Sequence, residues 1–199
     1  MEERNSKANA EDRHHRELLA GTAGGSLRAF GQLYDLLYTS LVRFIYRHTQ
    51  SPSVVEEVLN DVMLVVWQKA GSFRGDSRVL TWVLGIARHC ALNRLQRERA
   101  WQRIVAGPVP CACPGLDEGR LATLDALEWA LGQLSEDHRV AIELAYFHGM
   151  SCEEIAEVCA CPVNTAKTRL HYGRRRLHTL LSEGKQALAA DDFFEKTTP

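Results

Sequence analysis

Apolar residues recur along the chain at spacings of three and four, the period of a helix with one buried face. No stretch shows the two-residue alternation that marks a half-buried strand. The pattern therefore predicts an all-α protein, with N-terminal helices at residues 11–23, 26–48, 52–70 and 79–103. The inward-facing stripes are clearest in the last two of these helices, at Val55, Leu59, Val62 and Val66 and at Leu80, Val83, Leu84, Ala87, Ala91 and Leu95.

The breaks between these helices have local causes. Gly24 and Gly25 interrupt the periodicity, and Ser51 followed by Pro52 is typical of an N-cap with proline at the first helical position. Three prolines then lie within residues 107–115, where they remove backbone donors and restrict the residues before them. We interpret residues 106–119 as a flexible linker between two small helical domains, at 11–105 and 120–182, with a frayed polar tail at 183–199.

The second domain carries the pattern of a helix-turn-helix. After a helix on Leu124, Leu127, Leu131 and Leu134, Ser135 is placed to cap a helix that ends near Gly149. Ser151 and Glu154 fit a capping box for a short helix, and a break at residues 160–162 precedes a long basic helix that we expect to end near Leu181.

This long basic helix separates two kinds of residue. Its buried stripe is predicted at Ala166, Leu170, Gly173, Leu177 and Leu180. The opposite side carries Lys167, Thr168, His171, Arg174 and Arg175. Cations on such a face can hold phosphates, while lysine, threonine and histidine can reach base edges in a major groove.

Charge supports two contacts with a polyanion, although the net charge is only −1. Seven arginines and two acids lie between Arg74 and Arg103, and five cations and no acid lie between Val163 and Leu181. Two basic segments in a near-neutral chain suggest two separate nucleic-acid footprints. The alternative from charge alone is two solvated helix faces.

Bulk properties also exclude several classes. No apolar run reaches the ~18–20 residues that span a bilayer, and the polar N-terminus lacks the core of a signal peptide. We therefore expect a cytoplasmic protein without membrane insertion. No nucleophile–base pair or phosphate-cradling loop is evident, so we expect neither catalysis nor a cofactor. The pairs Cys111/Cys113 and Cys159/Cys161 leave a metal or redox role open, but their one-residue spacers differ from the usual zinc knuckle.

Two ordered sets of motifs resemble a known family. Residues 56–67, followed by 72–77, Thr81-Trp82 and 86–88, resemble domain two of the extracytoplasmic-function sigma factors. Residues 134–139, 149–156 and 161–170 resemble their domain four. The resemblance extends over about residues 18–181, and no third sigma domain lies between the two.

The resemblance implies binding to bacterial core RNA polymerase and to promoter DNA, with sequestration by an anti-sigma factor and a monomeric free state. It places the polymerase contact at Glu57, Asn60, Asp61, Leu64 and Gln68. It places contacts to the melted minus-ten element at Arg74, Gly75, Asp76, Ser77, Arg88, His89, Asn93 and Arg97. It places contacts to the duplex minus-thirty-five element at Asn164, Thr165, Lys167, Thr168, Arg169, His171, Arg174 and Arg175.

Four residues depart from the family's pattern. Asn60-Asp61 replaces the usual Gln-Glu pair, and His89 stands where asparagine is frequent, so we expect a different preferred flipped base. Asn164 replaces a common glycine, and asparagine tolerates a left-handed backbone, so we expect the turn to be intact.

Two other functions remain as alternatives. An autonomous helix-turn-helix repressor or activator would need a dimer interface and would leave the Phe73–Ser77 loop and the first basic segment without a role. A nucleic-acid-processing enzyme would need a carboxylate cluster or metal-ligand set that the sequence does not provide.

Overall fold

The computed structural model describes residues 2–49, 51–105 and 122–195, with side chains at 9–49, 51–98, 100–101 and 126–182. These residues form helices joined by turns, and no strand occurs among them. The helices are α1 (Glu2–Ala23), α2 (Leu27–Thr49), α3 (Pro52–Lys69), α4 (Val79–Val105), α5 (Ala122–Gly132), α6 (Glu136–Tyr146), α7 (Cys152–Val158) and α8 (Val163–Glu195), with a 3-10 turn at Ala70–Ser72. The all-α prediction is confirmed.

The chain divides into two compact units, the first built mainly on α1–α4 and the second mainly on α5, α6 and α8. The predicted linker at 106–119, with Cys111 and Cys113, lies outside the described residues. None of the described helices is both long and apolar enough to cross a membrane.

The core of the first unit forms where α2 and α3 pack together and against α1 and α4. The α2 residues Leu33, Leu37, Leu41 and Ile45 are at most 1% exposed, so removing any of them would leave a cavity. The predicted α3 stripe is buried at all four positions. In α4, Val83, Leu84, Ala87 and Ala91 are buried as predicted, but Leu80 and Leu95 are only half-buried.

The core of the second unit lies between α6 and α8, with α5 beside them. Ala166, Leu170, Gly173 and Leu180 of the predicted α8 stripe are buried, whereas Leu177 is half-buried. A Cβ at Gly173 would lie 3.1 Å from Ile142 Cγ1 and 3.2 Å from the His138 carbonyl oxygen. Glycine is therefore what allows α8 to approach the backbone of α6 so closely.

Serine stands at the start of α3, α6 and α7 as predicted, and its side chain bonds a helix amide at one of these three sites. At α7, the Glu154 amide donates to the Ser151 hydroxyl over 3.2 Å, and the Ser151 amide donates to the Glu154 carboxylate over 2.9 Å. This reciprocal pair confirms the capping box. Ser51 and Ser135 do stand at N-cap positions, but neither side chain bonds a helix amide. Ser51 instead pairs with the Ser53 hydroxyl. The predicted N-cap positions of α3 and α6 are therefore confirmed, without the side-chain hydrogen bond of a cap.

The turn before α8 is formed, as expected, although its left-handed residue is not Asn164. Asn164 lies within the first turn of α8, and the residue with a left-handed backbone is Ala160, at a φ of 49°. Because α7 ends at Val158, the reversal of chain direction falls two residues after that end. The backbone amide of Cys161 donates to the Ala156 carbonyl over 3.0 Å, which closes the turn.

Two helix ends differ from the periodicity. Helix α1 begins at Glu2 rather than near residue 11, and α8 continues to Glu195 instead of ending near Leu181. The expected frayed tail is therefore helical through Glu195. Residues 182–195 contain four alanines and leucines together with glutamate, lysine and glutamine, which are good helix formers even without an amphipathic pattern.

Candidate functional site

The five residues predicted to contact polymerase lie on one face of α3. Glu57, Asn60, Asp61, Leu64 and Gln68 are all exposed, at the i, i+3, i+4, i+7 and i+11 spacing that keeps side chains on one side of a helix. We call these residues the α3 stripe. Leu64 is 55% exposed and is the apolar residue of the α3 stripe, on the side of α3 opposite its buried residues.

The α3 stripe is connected to α4 by one ion pair. Arg94 Nε donates to the Glu57 carboxylate over 3.0 Å, and both side chains are partly exposed. Such exposed pairs contribute about 0–1 kcal/mol, so this one orients Glu57 more than it stabilises the unit.

The loop before α4 carries four of the predicted minus-ten residues. Arg74 and Asp76 are exposed, while Gly75 and Ser77 are half-buried. Gly75 has a φ of +81°, a conformation that side chains other than glycine rarely adopt. Its carbonyl and that of Ser77 point toward α1, which leaves the Arg74 and Asp76 side chains directed to solvent.

Helix α1 holds this loop through contacts that the sequence gave no means to predict. Arg16 donates from its two terminal nitrogens to the carbonyls of Gly75 (3.2 Å) and Ser77 (2.7 Å). Its Nε pairs with Asp12 at 2.6 Å, and the other Asp12 oxygen accepts the Val79 amide at 2.8 Å. Asp12 thereby satisfies an unpaired donor at the start of α4 from a helix 67 residues earlier. We call these contacts of Asp12 and Arg16 the α1 clamp.

Two aromatic rings lie beside the α1 clamp. The Arg16 guanidinium carbon is 5.5 Å from the centre of the Phe73 ring, and that ring is 5.4 Å from the ring of Trp82. Trp82 is half-buried, and its ring packs against Phe73 within the unit.

The predicted minus-ten residues of α4 follow one another along its outer side. His89 and Arg97 are exposed, and Arg88 and Asn93 are half-buried. His89 Nε2 and Asn93 Nδ2 are 2.9 Å apart, so the two side chains form a connected polar pair one turn apart. An imidazole and an amide in contact offer both donors and acceptors, as recognition of an unstacked base requires.

In the second unit, α8 presents a cationic polar face away from its buried stripe. Asn164, Lys167, Thr168, His171, Arg174 and Arg175 are all exposed. The Thr168 hydroxyl donates to the Asn164 carbonyl over 2.8 Å, and the His171 ring lies edge-on to Tyr172. We call these six residues the α8 face.

Two further predicted residues lie off the α8 face. Arg169 is turned toward α6, where its Nη2 donates to the Asp137 carboxylate over 2.7 Å with the arginine side chain 23% exposed. Thr165 is half-buried, beside the buried Ala166. Helical spacing places both near the edge of the buried stripe, a consequence of the 100° rotation per residue that a linear motif does not display.

Electrostatics at the start of α7 depends on exposed groups. The pKa of Glu153 is lowered, first by a hydrogen bond to its own backbone amide, then by the Ser151 hydroxyl and to a smaller degree by Lys167. Glu153 at the start of α7 and Lys167 of the α8 face are thus electrostatic neighbours. In the first unit, burial raises the pKa of the Cys90 thiol, and Asp61 adds to the shift.

The cysteines that the structure describes give no metal centre. Cys159 is buried and Cys161 is half-buried, and neither forms a disulfide. Within the described residues, no group of three or more cysteine, histidine or acidic side chains is placed to hold an ion.

A helix-turn-helix with an exposed cationic face and a helical unit with a basic outer side are together typical of a helical DNA-binding protein. Residues 33–101 match the family model of Sigma-70 region 2, and residues 124–177 match that of Sigma-70, region 4. The ECF RNA polymerase sigma factor SigM of Mycobacterium tuberculosis (strain H37Rv) is 31% identical over 173 residues, covering 85% of this chain and 87% of that protein.

Two further relatives agree with these matches. The ECF RNA polymerase sigma factor SigK of Mycobacterium sp. (strain KMS) is 30% identical over 176 residues, covering 82% of this chain and 89% of that protein. Among solved structures, the sigma factor RpoE from Bartonella quintana, in complex with the anti-sigma factor NepR, has a TM-score of 0.66 and 27% identity, covering 78% of this chain and 98% of that one. The chain belongs to the ECF RNA polymerase sigma factors, which are transcription initiation factors.

Proposed function

We propose that this chain is an alternative sigma factor that binds core RNA polymerase through the α3 stripe and directs it to promoters through two DNA contacts. The observation that supports the assignment of surfaces is that most of the predicted residues are exposed. These are the whole α3 stripe, Arg74, Asp76, His89 and Arg97 of the minus-ten set, and the whole α8 face. The chemistry of RNA synthesis then belongs to the polymerase, and the factor acts where the polymerase does, in the cytoplasm.

The two DNA contacts differ in kind. The loop at residues 74–77 and the His89–Asn93 pair offer small, mixed donor and acceptor groups suited to bases that have left the stack. The α8 face offers cations and short polar groups along one side of a long helix, suited to a major groove. We assign the first to the melted minus-ten element and the second to the duplex minus-thirty-five element.

The two contacts act together only when their separation is fixed. Each surface is small, so each alone would bind weakly; binding to polymerase makes the second contact intramolecular and raises its effective concentration. Free factor should therefore bind promoter DNA poorly. The solved structure of the sigma factor RpoE contains the anti-sigma factor NepR. This complex supports an anti-sigma factor as a further partner of this chain.

Run-off transcription tests the proposal directly. Sigma-free bacterial core polymerase is incubated with and without this chain on a fragment from upstream of its own gene. We expect a discrete start site that depends on the added chain. Absence of both a transcript and co-elution with core polymerase would contradict the proposal, and a stable dimer on gel filtration would then favour the autonomous repressor or activator.

A leucine pair tests the polymerase-binding surface. We expect Leu64→Ala to weaken co-elution with core polymerase, since Leu64 is the exposed apolar residue of the α3 stripe. The matched control is Leu27→Ala, which removes a leucine that is 75% exposed on α2. Equal losses in the two variants would show that the surface has been misplaced.

Two arginines test the α8 face in the same way. Arg174 lies on the α8 face, whereas Arg176 is equally exposed but projects from another side of the helix. Arg174→Ala should weaken binding to all promoters and reduce the salt slope by about one unit. Arg176→Ala should leave the slope unchanged. In contrast, Lys167→Ala should cost about 1–3 kcal/mol at one base pair and relax specificity there.

A further inference from the structure

We propose that Asp12 and Arg16 are positioning residues for minus-ten recognition, because the α1 clamp sets the backbone of the loop that presents Arg74 and Asp76. The inference rests on the proposed function and deepens it. It assigns a role in promoter discrimination to α1, a helix that carries none of the predicted DNA contacts and lies outside the matched family region at 33–101.

The loop has few backbone hydrogen bonds of its own. Between the 3-10 turn that ends at Ser72 and the start of α4 at Val79, backbone–backbone bonds hold its two ends, where the Phe73 amide donates to the Ala70 carbonyl and the Arg78 carbonyl accepts from the Trp82 amide. Loop geometry at Gly75 and Ser77 therefore depends on side-chain partners. Arg16 supplies two of them through one planar group, so the spacing between the two carbonyls is fixed by the shape of the guanidinium.

The side chains of the α1 clamp are themselves held in place by further contacts. Asp12 is only 12% exposed and accepts hydrogen bonds on both oxygens, from Arg16 and from the Val79 amide. The guanidinium of Arg16 is oriented by that carboxylate and lies over the Phe73 ring. A charged donor held by a half-buried carboxylate and an aromatic ring loses little further freedom when it binds the loop.

The conformation of the loop at Gly75 fits the close approach of Arg16. A Cβ at Gly75 would lie 2.9 Å from the Arg16 Nη1 atom, in addition to the strain of a positive φ. The close approach of Arg16 and the conformation of Gly75 are thus one arrangement. It leaves Arg74 and Asp76, on either side of Gly75, exposed in a fixed relation to the start of α4.

The test measures discrimination by the holoenzyme, because a smaller folded fraction changes total activity but not the ratio between two templates. Holoenzyme made with each variant transcribes from a template with the intact minus-ten element and from templates with single-base changes in it. The variants are Arg16→Gln, Arg16→Lys and Asp12→Asn, and the matched control is Arg13→Gln, an exposed arginine of the same helix. We expect the ratio to fall by about tenfold in the three clamp variants, with core binding unchanged, since small misplacements of a recognition group have effects of that size.

The lysine variant separates positioning from direct contact with DNA. If Arg16 bound a phosphate, Arg16→Lys would keep the positive charge and with it the discrimination between templates. Arg16→Gln would then lower the salt slope by about one unit. Either result would overturn the proposal, as would an unchanged ratio in Arg16→Gln with only total activity reduced. We expect instead that lysine fails to restore the ratio, because it lacks the planar fork.

Hydrogen exchange of the free chain tests the clamp without polymerase. We expect the Val79 amide to exchange about tenfold faster in Asp12→Asn and Arg16→Gln than in Arg13→Gln, since its acceptor is displaced. Unchanged exchange would overturn the inference while leaving the proposed function intact. A wild-type chain that makes no transcript and does not bind core polymerase would instead overturn the proposed function, and the promoter role of the clamp with it.

Discussion

Replacing Gly173 by valine would test how the α8 face is supported from behind. Gly173 lies on the buried stripe of α8, and even a single Cβ there would come within 3.2 Å of the His138 carbonyl oxygen. That oxygen belongs to the backbone of α6 and cannot move alone. The Ile142 Cγ1 atom, at 3.1 Å, belongs to a side chain that can rotate away. The backbone contact therefore dominates the cost.

The magnitude follows from two opposing terms. Overpacking a filled core costs about 1–3 kcal/mol. Removing glycine from a helix interior recovers up to about 0.5 kcal/mol for valine. We therefore expect Gly173→Val to destabilise the second unit by about 0.5–2.5 kcal/mol, and the two γ carbons of valine place the value above that of Gly173→Ala.

Amide hydrogen exchange is the appropriate assay, because the two units need not unfold together. The slowest amides of α6 and α8 should exchange about two- to seventy-fold faster in Gly173→Val, while those of α2 stay unchanged. The matched control is Gly132→Val at the end of α5, where a Cβ would meet nothing within 4 Å. Equal exchange in Gly173→Val and wild type would refute the close approach of α6 and α8.

Three further changes test local features. Ala160→Gly should stabilise the chain by about 0.5–1 kcal/mol in thermal unfolding, because it relieves a left-handed backbone at a φ of 49°; a loss of stability would contradict that conformation. Ser151→Ala should cost about 1 kcal/mol by removing the acceptor of the Glu154 amide, whereas Ser151→Thr should cost less. Burial lowers the pKa of His15 below 6.5, although Asp12 raises it, so folding favours the neutral ring and stability should fall as pH drops through 6.5 toward the folded pKa. His15→Asn should reduce that pH dependence of unfolding, and an unchanged pH profile would contradict it.

Helical periodicity was sufficient for the architecture. The buried stripe of α3, most of that of α8 and the capping box at Ser151 follow from spacings of three and four and from local hydrogen bonding. These features are visible in sequence because each depends on residues within a turn or two of one another. The exposure of the α3 stripe follows from the same argument, since the residues opposite a filled apolar stripe must face outward.

Local reasoning did not reach the detail of two short segments. The turn before α8 is formed, as expected from a residue at 164 that tolerates a left-handed backbone, but the residue that has this backbone is Ala160, two residues after the end of α7. Ser51 and Ser135 likewise occupy cap positions without bonding a helix amide. The residue type shows which backbone conformations and hydrogen bonds a position allows, while the path of the chain decides which of them are formed.

The sequence by itself determined the class of fold, the family and the helices on which the candidate contacts lie. The tertiary structure alone decided which of those residues are available, since it engages Arg169 with Asp137. It alone revealed that Asp12 and Arg16 hold a loop more than fifty residues away. The physical reason is that a periodic pattern records the direction of a side chain relative to its own helix, whereas partners across 30 to 70 positions are chosen by how the helices pack.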